Sequence, residues 1–218
     1  MGAIADISNP SLTSRIAILD GAAWSLERQR VHLDQAEPRH TAHVKPEITL
    51  RDARAEDLAD IAPVLRAIVE DGETYAYPEN LSDEQIAALW MEPPPSRCIV
   101  AYAVDGTFLG TAKAGPNRPG RGDHIATASF MVAPLAQGRG VGRALADEVL
   151  RWAREEGYAA MQFNAVVETN VGAVALWKHL GFRILATVPR AFRSTRHGKV
   201  GLHIMYLEFS GSRGASTS

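Results

Sequence analysis

Cysteine is almost absent from this chain: Cys98 is the sole one in 218 residues. No disulfide can form within it, and such usage fits a reducing compartment. Long apolar runs are missing too. No stretch approaches the roughly 20 residues that a membrane-spanning helix needs, so no membrane partner is expected. The first residues, MGAIADISNPSLTSRIAILDG, have no basic region followed by a long apolar core and do not read as a secretory signal. They open like a myristoylation signal, but Asp6 stands where Ser or Thr is required. These features lead to the expectation of a soluble cytoplasmic protein. An excess of one charge is also lacking: 23 Lys and Arg face 25 Asp and Glu, a formal net charge of −2. There is no global pull toward nucleic acid. Aromatic residues make up only 7%, too few to interleave a stacking surface with basic groups, so no nucleic-acid partner is expected. What the chain does have is 46% hydrophobic residues, enough for one sizeable core.

The hydrophobic pattern is uneven. Residues 1–45 carry no sustained period beyond the run Ile16–Leu19 and one helix-like stretch around Trp24–Leu33. The segment AEPRHTAHVKPE, broken by Pro38 and Pro46, reads as a linker. We therefore expect an N-terminal extension over 1–45, a folded domain over 46–209 and a small, polar, disordered tail over 210–218. Within the domain the periods of two and 3.6 alternate. Strands are expected over 47–53, 98–106, 107–115, 124–134, 159–167, 182–189 and 200–209. Helices are expected over 55–72, with Leu58, Ile61, Leu65 and Ile68 on one stripe and Pro63 as a flaw that kinks it or begins its second part. A second begins at Ser82 as N-cap, a third follows Gln137–Gly142, and a fourth spans 170–181.

The third helix carries the most information. Val141, Leu145, Val149 and Trp152 fall on one face. Arg143, Asp147, Arg151 and Arg154 fall on another, with Arg143–Asp147 and Asp147–Arg151 as i,i+4 pairs, and Gly157 is the stop. Its first turns leave backbone N–H groups unpaired with partial positive charge, which an anion satisfies. Gly138, Gly140 and Gly142 remove the Cβ atoms that would hold a phosphate away, and Arg139 and Arg143 add charge. A nucleotide P-loop is disfavoured, because no Lys-Ser or Lys-Thr follows the glycines. A dinucleotide turn is disfavoured as well. Its third glycine would fall on Arg143 or Leu145, and the next strand carries Asn164 rather than an acid.

Gln137-Gly-Arg-Gly-Val-Gly142 does match Q/R-x-x-G-x-G/A, the pyrophosphate-binding signature of the GCN5-related N-acetyltransferase (GNAT) family. The segments SFMVAPLAQGRGVGRAL and ETNVGAVALWKHLGF resemble that family's fourth strand, turn, third helix and closing segment. Glu70–Trp90 and Arg190–Phe209 resemble its phosphinothricin-acetyltransferase-like branch. The resemblance covers about residues 47–209. It implies an α/β (α+β) fold with a mixed central sheet, strands four and five splayed apart, and helices on both faces. It implies acetyl-CoA as cosubstrate, held by the backbone of Met131 and Val132 along the pantetheine arm. The turn Gln137, Gly138, Arg139, Gly140, Val141, Gly142 and Arg143 would hold the pyrophosphate, and Asn170 would contact the arm. It also implies a primary amine of a small molecule as acceptor, and is compatible with a homodimer. No metal is implied. A protein or peptide acceptor, or a non-catalytic acyl-CoA sensor, are the rival readings.

Acetyl transfer to an amine requires removal of the ammonium proton, polarisation of the thioester and stabilisation of the tetrahedral intermediate. Cys98 is the only candidate for a covalent route, and a lone Cys opening a strand reads more readily as a core residue. Two candidates stand for the base: Glu73, in the loop after the first helix beside TYAYP, and His124, which starts the strand that runs toward the splay. Many family members carry a Tyr in the closing helix that protonates the leaving thiolate. Trp177 stands there in this chain, and it is expected to pack. Arg190 and Arg193, in the segment PRAFRSTRHGK between the last strands, are candidates for a clamp on an acidic acceptor.

Overall fold

A computed structural model of the protein describes residues 47–209. The expectations for residues 1–45 and 210–218 lie outside the described residues. The elements follow the expected order: β1 (Ile48–Asp52), α1 (Leu58–Asp71), α2 (Asp83–Trp90), β2 (Arg97–Ala103), β3 (Phe108–Pro116), β4 (Ile125–Val132), α3 (Val141–Glu155), β5 (Ala160–Val167), α4 (Val171–His179), β6 (Arg183–Ser194) and β7 (Gly198–Glu208). The strands form one seven-stranded sheet in the order β1-β2-β3-β4-β5-β7-β6, antiparallel except for β4–β5. Among the described residues no helix is long and apolar enough to cross a membrane.

Helices cover both faces. On one face α3 buries Val141, Leu145, Val149 and Trp152, the expected stripe, together with Ala146, Leu150 and Ala153. These pack with Met161, Phe163, Trp177 and Met205. On the other face α1 and α2 bury Ile61, Leu65, Val69, Ile86 and Trp90 against Val100 and Met131. Helix α1 continues through Pro63 without a break. Pro63 lies on the exposed side, where the carbonyl of Ala59, deprived of its helical donor, can bond water. Ser82 caps α2 as expected: its Oγ accepts from Gln85 N–H at 3.2 Å while Gln85 Oε1 accepts from Ser82 N–H at 2.9 Å. Arg143 pairs with Asp147 at 2.7 Å as expected, but Arg151 turns away from Asp147 to Glu148 and Glu155.

Asp57, only 3% exposed, ties β1 to the start of α1. It accepts two bonds of 2.7 Å from the Arg51 guanidinium, one of 2.9 Å from Tyr102 and one of 2.6 Å from Arg54 N–H. The Arg51 hydrogen bonds, aided by those from Arg54 and Tyr102, overcome desolvation and hold its carboxyl at about 2.

The central seam is the feature that positions the site. Strands β4 and β5 pair only at Ile125–Ala160 and Ala126–Met161. Beyond that, β5 carries an extra residue against β7, between Phe163–Met205 and Val166–His203. Such a bulge bends a strand away from its former plane, and here it accompanies the opening of a V toward the carboxyl ends of β4 and β5.

Candidate active site

The V is open along the edge of β4. The bond from Ala133 N–H to Leu109 O (2.9 Å) and the register Thr111–Met131 place the N–H and C=O of Met131 and Ser129 on the β3 side. Backbone groups alternate along a strand, so those of Ala128, Phe130 and Val132 face the seam. Of the two residues expected to offer backbone to the pantetheine arm, Val132 has its backbone groups toward the seam, whereas those of Met131 are engaged with β3. An extended ligand with amide groups at strand-like spacing fits this edge.

Strand β4 leads through the short turn Pro134–Ala136 into the glycines. Gly138 (φ 73°) and Gly140 (φ 86°) adopt left-handed backbone that glycine takes without steric cost. A Cβ added to either would meet nothing within 4 Å, so both border open space. The first bond of α3 runs from Ala144 N–H to Gly140 O at 3.0 Å. The N–H groups of Val141, Gly142 and Arg143 therefore have no acceptor inside the helix, and they converge at its positive end. A Cβ on Gly142 would lie 3.6 Å from Val132 Cγ2 and 3.7 Å from Leu176 Cδ2, between α3, β4 and α4. Gln137, Arg139 and Arg143 are exposed around the turn. Arg143 donates to Asp147 through Nε alone, leaving its terminal nitrogens for an anion. Asn170 caps α4, its Oδ1 accepting from Ala173 N–H at 3.1 Å, which points the amide nitrogen elsewhere. Asn170 also lines the seam. These groups fit a pyrophosphate linked to an amide-bearing arm.

A cavity of about 290 Å³ occupies the opening of the V. Phe130, Phe163 and Trp177 form its wall on the α3–α4 side, with ring centroids 4.8 Å apart for Phe130–Trp177 and Phe163–Trp177. Trp177 is packed in this aromatic cluster and 7% exposed. On the other side stand Tyr75 and Tyr77, stacked at 5.3 Å and 22°, and Phe192 with Leu202. The Tyr75 hydroxyl donates to Phe130 O at 2.6 Å, and burial raises its ionisation well above the ordinary value. That hydroxyl therefore remains a donor at the seam.

The expected base and clamp residues are placed differently. His124 is exposed at the beginning of β4, at the closed end of the V, and does not line the cavity. A strand that runs toward the splay has its first residue farthest from it. Glu73 borders the site without lining it. Its carboxylate accepts from Ser194 Oγ at 2.8 and 2.9 Å and from Arg196 N–H at 2.8 Å. Desolvation pushes this carboxyl up, but the bonds from Ser194, Arg196 and Thr195 together outweigh it and bring it below its ordinary value. Asp71 pairs with Arg196 beside it, Thr195 Oγ1 donates to Asp71 O, and a Cβ on Gly72 would collide with Thr195 Oγ1. Together these contacts fasten the α1–α2 loop to the β6–β7 turn. Arg190 and Arg193 are exposed and do not line the cavity. The segment PRAFRSTRHGK is largely strand, because β6 runs on to Ser194. Between Val188–Leu202 and Phe192–Val200 three residues of β6 stand against one of β7, with Arg190 among them at φ 56°, and Phe192 beyond them is buried beside Val200. Cys98 lies in β2, also outside the cavity lining, with Sγ 3.6 Å from Thr111 Oγ1. Burial pushes its thiol up to about 11, which makes a poor nucleophile. Tyr75, Tyr77 and Phe192 were missed as site residues. TYAYP stands beside Glu73 in the sequence, but its meeting with Phe192 at one cavity depends on contacts across most of the chain.

Among the described residues no group of three or more His, Cys, Asp or Glu is placed to hold a metal. The family model described as Acetyltransferase (GNAT) family matches residues 62–182. The chain is similar to N-acetyltransferase aca1 of Schizosaccharomyces pombe, with 32% identity over 118 residues, 54% of this chain and 56% of that protein. It thus spans little more than half the length of that relative. A GCN5-related N-acetyltransferase from Kribbella flavida is 55% identical, with a TM-score of 0.73 over 74% of this chain and 98% of the other. A GNAT superfamily phosphinothricin acetyltransferase from Sinorhizobium meliloti, solved in complex with AcCoA, is 24% identical with a TM-score of 0.69, over 78% and 92% of the two chains, and shares the fold. With the split sheet, the glycine turn and the family match in agreement, the chain belongs to the GNAT family of acetyl-CoA-dependent N-acetyltransferases.

Proposed function

We propose that this protein transfers the acetyl group of acetyl-CoA to a primary amine of a small molecule, by direct attack within a ternary complex. The observation that carries this reading is the continuity of the site. The free edge of β4 runs from the anion-binding turn at Gly138–Arg143 into a closed-ended cleft whose far wall is Tyr75, Tyr77 and Phe192. Bound there, acetyl-CoA supplies the activated acyl group, and the chain aligns it. Val132 and Phe130 offer backbone groups to the arm, and the N–H groups of Val141, Gly142 and Arg143 hold the phosphates. The Tyr75 hydroxyl and Asn170 provide polar contacts at the seam. Holding donor and acceptor together in this geometry removes most of the entropic barrier to their encounter. A covalent enzyme intermediate is not part of this reading, because the buried Cys98 thiol lies outside the cleft. The ammonium proton leaves through solvent water, since none of the described residues lining the cleft is a carboxylate or an imidazole. A place in the phosphinothricin-acetyltransferase-like branch rests on Glu70–Trp90 and Arg190–Phe209, and a reducing cytoplasmic setting rests on the single cysteine.

The test is amine-dependent release of free CoA thiol from acetyl-CoA, together with a thermal shift. At a ligand concentration 100 times the dissociation constant, acetyl-CoA adds about 2.7 kcal/mol of stability. Binding followed by thiol release with a small amine is the expected result. Binding without release from any amine or peptide would leave a sensor, and a shift with ATP or NAD but not acetyl-CoA would overturn the reading.

A further inference from the structure

We propose that the acceptor is a primary amine carried on an apolar, preferably aromatic, group, with no carboxylate or phosphonate beside it. This rests on the acetyl-transfer reading above and names the class of amine that the same cleft accepts.

The first observation is the charge inventory. Among the described residues lining the cleft there is no Arg, Lys or His and no Asp or Glu. A buried acid needs a guanidinium fork, an ammonium or several convergent N–H groups, and otherwise keeps its desolvation penalty. Arg190, inside the β6 bulge, and Arg193, which alternates to the other face from Phe192, are exposed, and Arg196 is paired with Asp71. Glu73, held by Ser194 and Arg196 N–H, lies outside the cleft lining.

The second observation is the character of the wall. Tyr77 stacks on Tyr75, which is held at its hydroxyl by Phe130 O and at its ring edge by Trp90, 5.9 Å away. On the same side Phe192 is 6% exposed and packs with Val167 and Leu202. The loop that carries the tyrosines and the strand that carries Phe192 are fastened together by the contacts of Glu73 and Asp71 with Ser194, Thr195 and Arg196. With Phe130, Phe163 and Trp177 on the opposite side, they give the cleft aromatic walls. Such a cleft accepts a ring or alkyl group, and its π faces attract an approaching ammonium while repelling an anion.

The experiment uses the full chain, acetyl-CoA and a matched series with one ring: 2-phenylethylamine, phenylalanine methyl ester and phenylalanine, with glutamate as an acidic acceptor without a ring. The amine and the ester should exceed the free acid in kcat/KM by at least about tenfold, within the roughly 10–200-fold discrimination that an apolar pocket achieves. Phe192→Leu and Tyr77→Ala should each raise the KM for 2-phenylethylamine several-fold while leaving acetyl-CoA affinity unchanged. Two variants are used because Phe192 is buried and Tyr77 is not. A free acid used as well as its ester, or glutamate preferred to all three, overturns the proposal. Acetyl-CoA binding with no turnover of any of the four also overturns it, while the cofactor site stands. Absence of acetyl-CoA binding instead overturns the acetyl-transfer reading beneath it.

Discussion

Gly142→Ala separates the stability of the fold from the room it leaves for a ligand. Gly142 is the second residue of α3 and has no positive φ, unlike Gly138 and Gly140. Alanine is favoured over glycine by roughly 0.5–1 kcal/mol inside a helix, and the new methyl would sit at ordinary contact distance, 3.6 Å from Val132 and 3.7 Å from Leu176. The ligand-free protein should therefore gain about 0.5 kcal/mol at this terminal position, or about 1–2 °C in melting temperature for a domain of this size. The same methyl narrows the gap between α3, β4 and α4 through which the arm and the phosphates must pass. A tenfold loss of affinity corresponds to about 1.4 kcal/mol. At a concentration 100 times the wild-type dissociation constant, the stabilisation by acetyl-CoA should then fall from about 2.7 to about 1.4 kcal/mol. Thermal melts of both proteins, with and without acetyl-CoA, read both effects in one series. A lower melting point without ligand would mean that the gap is already full. An undiminished ligand shift would mean that Gly142 does not border the ligand.

Further consequences concern charge. Gly140→Asp places a carboxylate in the open space at the turn. One unit charge about 4 Å from another costs about 4 kcal/mol at an effective dielectric constant near 20, so calorimetry should show acetyl-CoA affinity lowered at least about 100-fold in a folded protein. Asp57→Asn removes the charge facing Arg51 and should destabilise the domain by about 2–4 kcal/mol in urea titration, with activity retained in the fraction that stays folded. In the wild type, the folded carboxyl at about 2 lies below the unfolded value of 3.8. Its contribution is thus complete above pH 4 and lost as pH falls toward 2, which acid unfolding of the wild type and of Asp57→Asn will compare. Glu73→Gln should leave the acidic limb of the pH–rate profile in place, following the acceptor's own amine, because the cleft has no base of its own; loss of that limb would restore Glu73 as the base.

The parts of this molecule that could be read in advance are those set by neighbours in the chain. The stripe of α3, the Ser82 cap and the glycine turn depend on spacing over a few residues, and the order of strands and helices followed from the same signals. Contacts that reach across the chain were not legible. Ser194 meets Glu73 across 121 positions and ties its carboxylate to the β6–β7 turn. The side that each β4 backbone group faces depends on the register with β3, so Met131 and Val132 divide between two neighbours. Phe192, and not Arg190 or Arg193, lines the cleft, and nothing in PRAFRSTRHGK announces where extra residues enter a ladder. Asp57 gave no signal either, since its partners Arg51 and Tyr102 come from two different strands.

Two residue pairs are all the strand pairing between β4 and β5. Without ligand the sheet is thus two ladders, β1-β2-β3-β4 and β5-β7-β6, that share a short hinge at their base. Each ladder can open to solvent with its own free energy. In hydrogen–deuterium exchange the two should protect as separate blocks, with the seam-facing amides of Ala128, Phe130 and Val132 exchanging early. A ligand arm laid along the seam is then a cross-tie that makes the blocks exchange as one. If the amides of both blocks already exchange at a single shared rate in the free protein, the hinge is stiffer than two pairs would make it.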